Sequence, residues 1–263
     1  QGSTAIAAAN GLAGAATAAG GTAAAPARGR RVVDAPTRMF HALFALSFVG
    51  AYLSAEGDAW RGLHVMFGYT LLGLLVFRIG YGLMGPRAVR LSALAGRLAA
   101  LPGWLRGLPS ALRGGVATVQ ASGRQGSQLA LLLSVAALLL LALPLVASGI
   151  AAYHEVGEAF IGDAFAELHE GLGEAMLFVV LAHVALVLGV SLARRRNLAA
   201  PMWSGRVAGA GPDLVRRNRG WLAALLLLAV LAWGAFEWQQ SPNGLVSADA
   251  VAGIGAAQDD DDD

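Results

Sequence analysis

Four histidines lie inside apolar stretches of this 263-residue chain: His41, His64, His169 and His183. An imidazole at membrane depth is costly, and the work that repays it is to ligate a metal or to relay a proton. His169 and His183 stand 14 residues apart in one continuous hydrophobic stretch. At roughly 100° per residue, the second ring returns to within about 40° of the first. At about 1.5 Å per residue, the two are roughly 21 Å apart along the axis. That puts one ring near each face of a hydrocarbon layer about 30 Å thick.

The surrounding chain has a membrane protein's composition. It is 56% hydrophobic and 14% charged, with a mean hydropathy of +0.59. There is no cysteine, which excludes disulfides, thiolate-held iron–sulfur clusters and covalent attachment of c-type haem. A metal centre here rests on His or carboxylates, and a haem is held without a covalent bond to the chain. No nucleic-acid partner is expected.

Five apolar segments can position the histidines, at about 37–54, 62–83, 128–151, 165–193 and 221–238. Each is near the length of a membrane-spanning helix, the first marginally so, and Pro144 is expected to kink the third. Of the 19 arginines, 16 fall in residues 1–36, 84–127 and 194–220. The alternate loops, 55–61 and 152–164, hold one arginine and the acids Glu56, Asp58, Glu155, Glu158 and Asp163. The positive-inside rule then places the N-terminus in the cytoplasm and the C-terminus in the periplasm. Within 91–112, leucines recur at alternating steps of three and four. They predict a helix on the membrane surface, broken near Pro102 and Pro109, with packing against a partner subunit as the other reading.

This topology determines which histidines can meet. His41 and His183 share the cytoplasmic level, and His64 and His169 share the outer one. Two imidazoles from facing helices at one depth form a bis-His axial site for haem iron. Gly68 and Gly173, each four residues after an outer histidine, leave space on the ligand's face. Arg38 and Arg61, each three before a histidine, are candidates for pairing with haem propionates, and Arg78 is a third. A His-based proton or metal transporter remains open, with Glu167, Glu170 and Glu174 as possible partners for an outer metal. His154 is expected to be an ordinary interfacial residue.

The stretch VVDAPTRMFHALFALSFVGAYLS (32–54) resembles the opening of the bacterial cytochrome b561 family, which includes the b-type subunit of membrane nickel–iron hydrogenases. WRGLHVMFGYTLLGLLVFRIGYGLMGPRAVRLS (60–92) and LHEGLGEAMLFVVLAHVALVLGVSLARRRNLAAPMWSGR (168–206) resemble its second and fourth helices with their exits. The resemblance implies a four-helix bundle with two b haems, ligated by His41, His64, His169 and His183. It also implies exchange of electrons between a quinone pool and a redox partner. GRQGSQ (123–128) departs from the family's usual turn before the third helix.

The expected protein is thus an all-α integral membrane protein of the bacterial inner membrane. It has a disordered Ala/Gly-rich segment (1–31), a haem-binding four-helix bundle (32–206), a linker with a fifth transmembrane helix (207–240) and an acidic periplasmic tail (241–263). It is expected to carry electrons rather than to act as a stand-alone catalyst. Its partners would be the lipid bilayer, quinone or quinol, and a periplasmic electron-transfer protein or catalytic subunit, alone or within an oligomer or larger complex. A further reading makes it the haem-bearing anchor of a larger oxidoreductase. The run Asp259–Asp263 could dock a basic carrier, although such runs are commonly solvated tails.

Overall fold

The structure, a computed structural model, describes residues 29–209, 211–241 and 245–246. A short strand β1 (Arg30–Arg31) precedes helix α1 (Ala35–Leu53), which turns through a 3-10 segment at Asp58–Trp60 into α2 (Arg61–Met84). Two short helices, α3 (Leu91–Leu98) and α4 (Leu101–Arg113), lead to α5 (Val116–Tyr153). After the single turn α6 (Glu158–Ile161), α7 (Ala164–Arg194) returns along α5. Helix α8 (Ala200–Ser204) and strand β2 (Arg206–Val207), antiparallel to β1, precede α9 (Gly220–Gln240).

Asp34 anchors the start of the bundle. Its buried carboxylate accepts the Thr37 backbone N–H at 3.2 Å and caps α1, with Pro36 in the first turn, where a missing N–H costs nothing. The same carboxylate accepts from the Tyr81 hydroxyl near the end of α2. The Tyr81 oxygen in turn accepts an Arg219 N–H at 3.4 Å at the foot of α9. One carboxylate therefore sets the relative height of three helices, and with it the height of Arg38 and His41. Phe48, Leu71, Leu75, Leu145 and Met176 join α1, α2, α5 and α7 in one core. Phe40, Leu74 and Leu226 dock α9 onto α1 and α2.

The outward faces are apolar. Leu140, Phe178 and Leu228 are 69%, 74% and 59% exposed, as side chains that meet lipid rather than water should be. Four helical stretches are long and apolar enough to cross a membrane: Asp58–Met84, Val116–Tyr153, Ala164–Arg194 and Gly220–Gln240. Helix α1, with 19 residues, is the marginal one: Arg38 and His41 in its first two turns lower its hydropathy. The chain is an all-α, multi-pass membrane protein.

Three local expectations change. Arg30 and Arg31, placed in the disordered segment, are paired in β1; residues 1–28 of that segment and the Asp259–Asp263 tail lie outside the described residues. Helix α5 begins at Val116 rather than near 128, and its 38 residues span about 57 Å. Helix α4 folds back along this extension, where Trp104 Nε1–H donates to the Ser122 carbonyl at 3.0 Å and Ala111 is buried. The leucine stripe is thus divided. Leu101 and Leu108 are half-buried, while Leu105 and Leu112 remain exposed. The break between α3 and α4 falls just before Pro102, but Pro109 lies inside α4 without ending it, because packing on α5 holds the turn. Helix α5 likewise runs unbroken through Pro144.

Candidate functional site

Helix α7 lies along α5 in the opposite direction, so residues 14 apart on one helix meet residues 14 apart on the other. Ser134 faces His183 and Ser148 faces His169. The Ser134 hydroxyl donates to the Leu131 carbonyl at 2.9 Å, so its oxygen accepts the Nδ1–H of His183 at 2.8 Å. His169 donates its Nδ1–H to the Leu145 carbonyl at 2.9 Å. His64 donates its Nδ1–H to the Ala51 carbonyl of α1 at 2.8 Å. All three rings turn Nδ1 to a partner on a neighbouring helix, which leaves Nε2 as the nitrogen available to a metal. Such outer hydrogen bonds select the tautomer and orientation that a metal-ligating histidine needs.

Glycines allow these approaches. A Cβ at Gly149 would sit 2.7 Å from Cε1 of His169, so only glycine lets that ring lie against α5. Gly50 does the same for the Phe67 ring, which lets α2 press against α1 near the Ala51 carbonyl. In contrast, a Cβ at Gly68 or Gly173 would meet nothing within 4 Å, so the space one turn after His64 and His169 is open.

At the end carrying the acidic loops, the His64 and His169 rings stand 5.9 Å apart, centroid to centroid, with their planes at 89°. An ion held at about 2 Å by one nitrogen of each ring would fit this spacing, since each ring's own radius adds to that length. At the arginine-rich end, Ser134 faces His183 on α7, and His41 stands in the second turn of α1. His41 is exposed, as is a residue on the wall of an open slot. Helix α7 makes its extended contact with α5 and reaches α1 and α2 chiefly through the shared core around Met176, so the four rings lie along the seam between two helical pairs. The donor set suits a flat, bis-imidazole-ligated group.

The other candidates separate clearly. Arg38 donates an Nη1–H to the Trp203 carbonyl, and its buried Nε–H has no partner among the described residues. An orphaned guanidinium N–H three residues before His41 fits an anionic group at that end. Arg61 is exposed in the first turn of α2. Arg78 donates to the Val89 carbonyl at 3.2 Å, so it serves the loop after α2 rather than the slot. His154 follows the last residue of α5 and pairs through Nε2 with the Tyr69 hydroxyl at 2.9 Å, beside Tyr153. Among the described residues no three of His, Asp or Glu converge on a metal-sized site, so Glu167, Glu170 and Glu174 do not complete one. Ser134, Ser148, Gly149 and the two carbonyls are the contributors that the histidine pattern did not reveal.

No curated protein and no solved structure matches the chain. Residues 32–205 match the family described as prokaryotic cytochrome b561. That interval contains all four histidines and every group that orients them. The chain belongs to the prokaryotic cytochrome b561 family, and is a membrane b-type cytochrome of electron transfer that binds b-type haem.

Proposed function

We propose that the chain holds two b haems, one between His64 and His169 and one between His41 and His183. It would pass electrons through the membrane between a quinone and a redox partner outside. One observation carries this reading: α5 and α7 repeat one device at two levels, with α5 accepting the Nδ1 proton and α7 offering Nε2. A b haem supplies one-electron chemistry at its iron. The protein's part is to present the imidazoles, three of them oriented by hydrogen bonds, and to exclude water with the Phe48–Met176 core. Arg38 would hold a propionate at the arginine-rich end through its free Nε–H.

In this reading α1, α2, α5 and α7 form the haem bundle and α9 is a fifth crossing. The arginine-rich end faces the cytoplasm of a bacterium with the protein in its inner membrane, and the C-terminus lies in the periplasm. Exposed Glu56, Asp58, Glu155 and Asp163 lie in the loops at the His64–His169 end. They favour a basic docking face on a periplasmic electron-transfer protein or catalytic subunit. The quinone would then exchange electrons nearer His41 and His183. A pyridine haemochrome assay on the purified protein should give two haems per chain. One haem per chain at full occupancy would overturn the two-site reading.

A further inference from the structure

A second site lies at the arginine-rich end, away from the histidines. A cleft of about 530 Å³ opens between the chain leaving α2 and the chain entering α9. Arg87, Arg216, Arg217 and Arg219 line it, and Leu214 and Val215 give it an apolar part. Its one carboxylate is engaged, because Asp213 Oδ1 accepts the Arg31 backbone N–H at 2.5 Å. The loop is built rather than draped. Leu214 N–H donates to the Arg31 carbonyl at 2.9 Å, and Ala35 N–H to the Asn218 carbonyl at 3.1 Å. Arg219 is held at φ +46, a left-handed conformation that side chains other than glycine's seldom take. Its guanidinium is thereby turned to the Tyr81 hydroxyl at one edge of the cleft.

The cleft's height is set by its neighbours. It begins two residues after α2 ends and closes where the apolar α9 begins. Trp221, 66% exposed, follows Arg219 by two, and Trp203, 86% exposed, lies in nearby α8. Exposed tryptophans beside apolar helix ends belong at the headgroup level of a bilayer. Four guanidinium groups around an apolar floor at that level match a phosphodiester with acyl chains below it. We propose that this cleft binds the headgroup of an anionic glycerophospholipid. Arg87, Arg216 and Arg217 would contact the phosphate, and the exposed Leu214 the first part of the glycerol and acyl region.

Native mass spectrometry of the haem-loaded protein in a neutral detergent tests this, with phosphatidylglycerol, phosphatidylcholine or inorganic phosphate added in turn. Phosphatidylglycerol should be retained and phosphatidylcholine lost under the same activation. Equal retention of both lipids overturns the proposal. Displacement of the lipid by millimolar inorganic phosphate also overturns it, since the site would then read phosphate alone. The combined variant Arg87→Gln, Arg216→Gln, Arg217→Gln should bind phosphatidylglycerol about a hundredfold more weakly, with unchanged haem content, since each arginine at an anionic surface contributes roughly fivefold. If that variant does not fold, Arg216→Gln and Arg217→Gln singly should each weaken binding about fivefold. Unchanged affinity in folded variants overturns the assignment.

Discussion

At the acidic end of the bundle, both histidines donate to main-chain carbonyls, His64 to Ala51 and His169 to Leu145. At the arginine-rich end, His183 leans on a side chain, Ser134, while His41 is exposed and has no hydrogen bond among the described residues. A main-chain acceptor moves only with its helix, so the first pair is set by helix packing alone. The second pair is set half by a hydroxyl rotor and half by whatever fills the slot. On the two-haem reading, the levels would share a ligand type but differ in how much of the site exists before the cofactor arrives. The arginine-rich end partly offsets this with Arg38, whose buried free N–H has no counterpart at the other level among the described residues.

The strongest test removes one ligand from each level. His169→Ala should abolish the haem at the acidic end and spare the other, and His183→Ala should do the reverse. The haem-to-chain ratio, read by pyridine haemochrome with the reduced α band, should fall from two to one in each. A variant that keeps both haems breaks the pairing. One that loses both shows that the levels fold as a unit rather than separately.

A smaller effect separates the two kinds of tether. Ser134→Ala removes the acceptor for His183, and losing such an outer partner commonly costs 10–100-fold in metal-site affinity, roughly. Ser148→Ala should cost far less, because the Leu145 carbonyl still holds His169 at 2.9 Å while Ser148 stands 3.5 Å away. Transfer of haem to an excess of a haem-free acceptor protein measures both. Equal rates of loss from the two variants would erase the proposed contrast between main-chain and side-chain tethers.

The histidines were legible because an ionisable residue interrupts an apolar run, and their pairing followed from counting spans. Ser134 and Ser148 repeat the same 14-residue interval, yet serine in an apolar helix is commonly satisfied by its own preceding turn. Here both do that as well, Ser134 with the Leu131 carbonyl and Ser148 with the Leu145 carbonyl, so their sequence positions carried no distinctive signal. Ala51 and Leu145 act through carbonyls, which every residue possesses. The first turns of α5 (VATVQASGRQGS) contain two glycines and weak helix formers. The helix forms there because α4 packs against it, a tertiary effect that propensity cannot reveal. Arg78 drew notice by its depth alone, and the depth was explained by the loop that it ties down.

Gly149 sharpens the comparison from the opposite direction. In Gly149→Ala the new methyl carbon would lie 2.7 Å from Cε1 and 2.8 Å from Nδ1 of His169. The ring must move away from α5 and stretch its bond to Leu145. Overpacking of this kind costs about 1–3 kcal/mol. Only the spectrum and potential of the acidic-end haem should change, and a redox titration resolving two components would show it. A change confined to the other component would mean that the His169 level had been assigned to the wrong haem.

The smallest expected effect concerns Arg38. Its Nη1–H is committed to the Trp203 carbonyl, so the side chain is anchored and its charge stays near His41 whether or not a haem is bound. A fixed positive charge favours the more negative, reduced form of a nearby redox centre. Arg38→Gln removes the charge, and its shorter side chain also gives up the Trp203 bond. The arginine-end potential should therefore fall. A half-screened interaction on the order of 1 kcal/mol corresponds to roughly 40 mV for one electron. The acidic-end potential should shift far less, because that level lies about 20 Å away along the bundle axis and the Coulomb interaction falls with distance. If both potentials remain unchanged, Arg38 serves only to hold the α8 loop, and its unpaired Nε–H is a packing cost rather than a propionate partner. If both shift together, the two centres are coupled more strongly than their separate tethers imply.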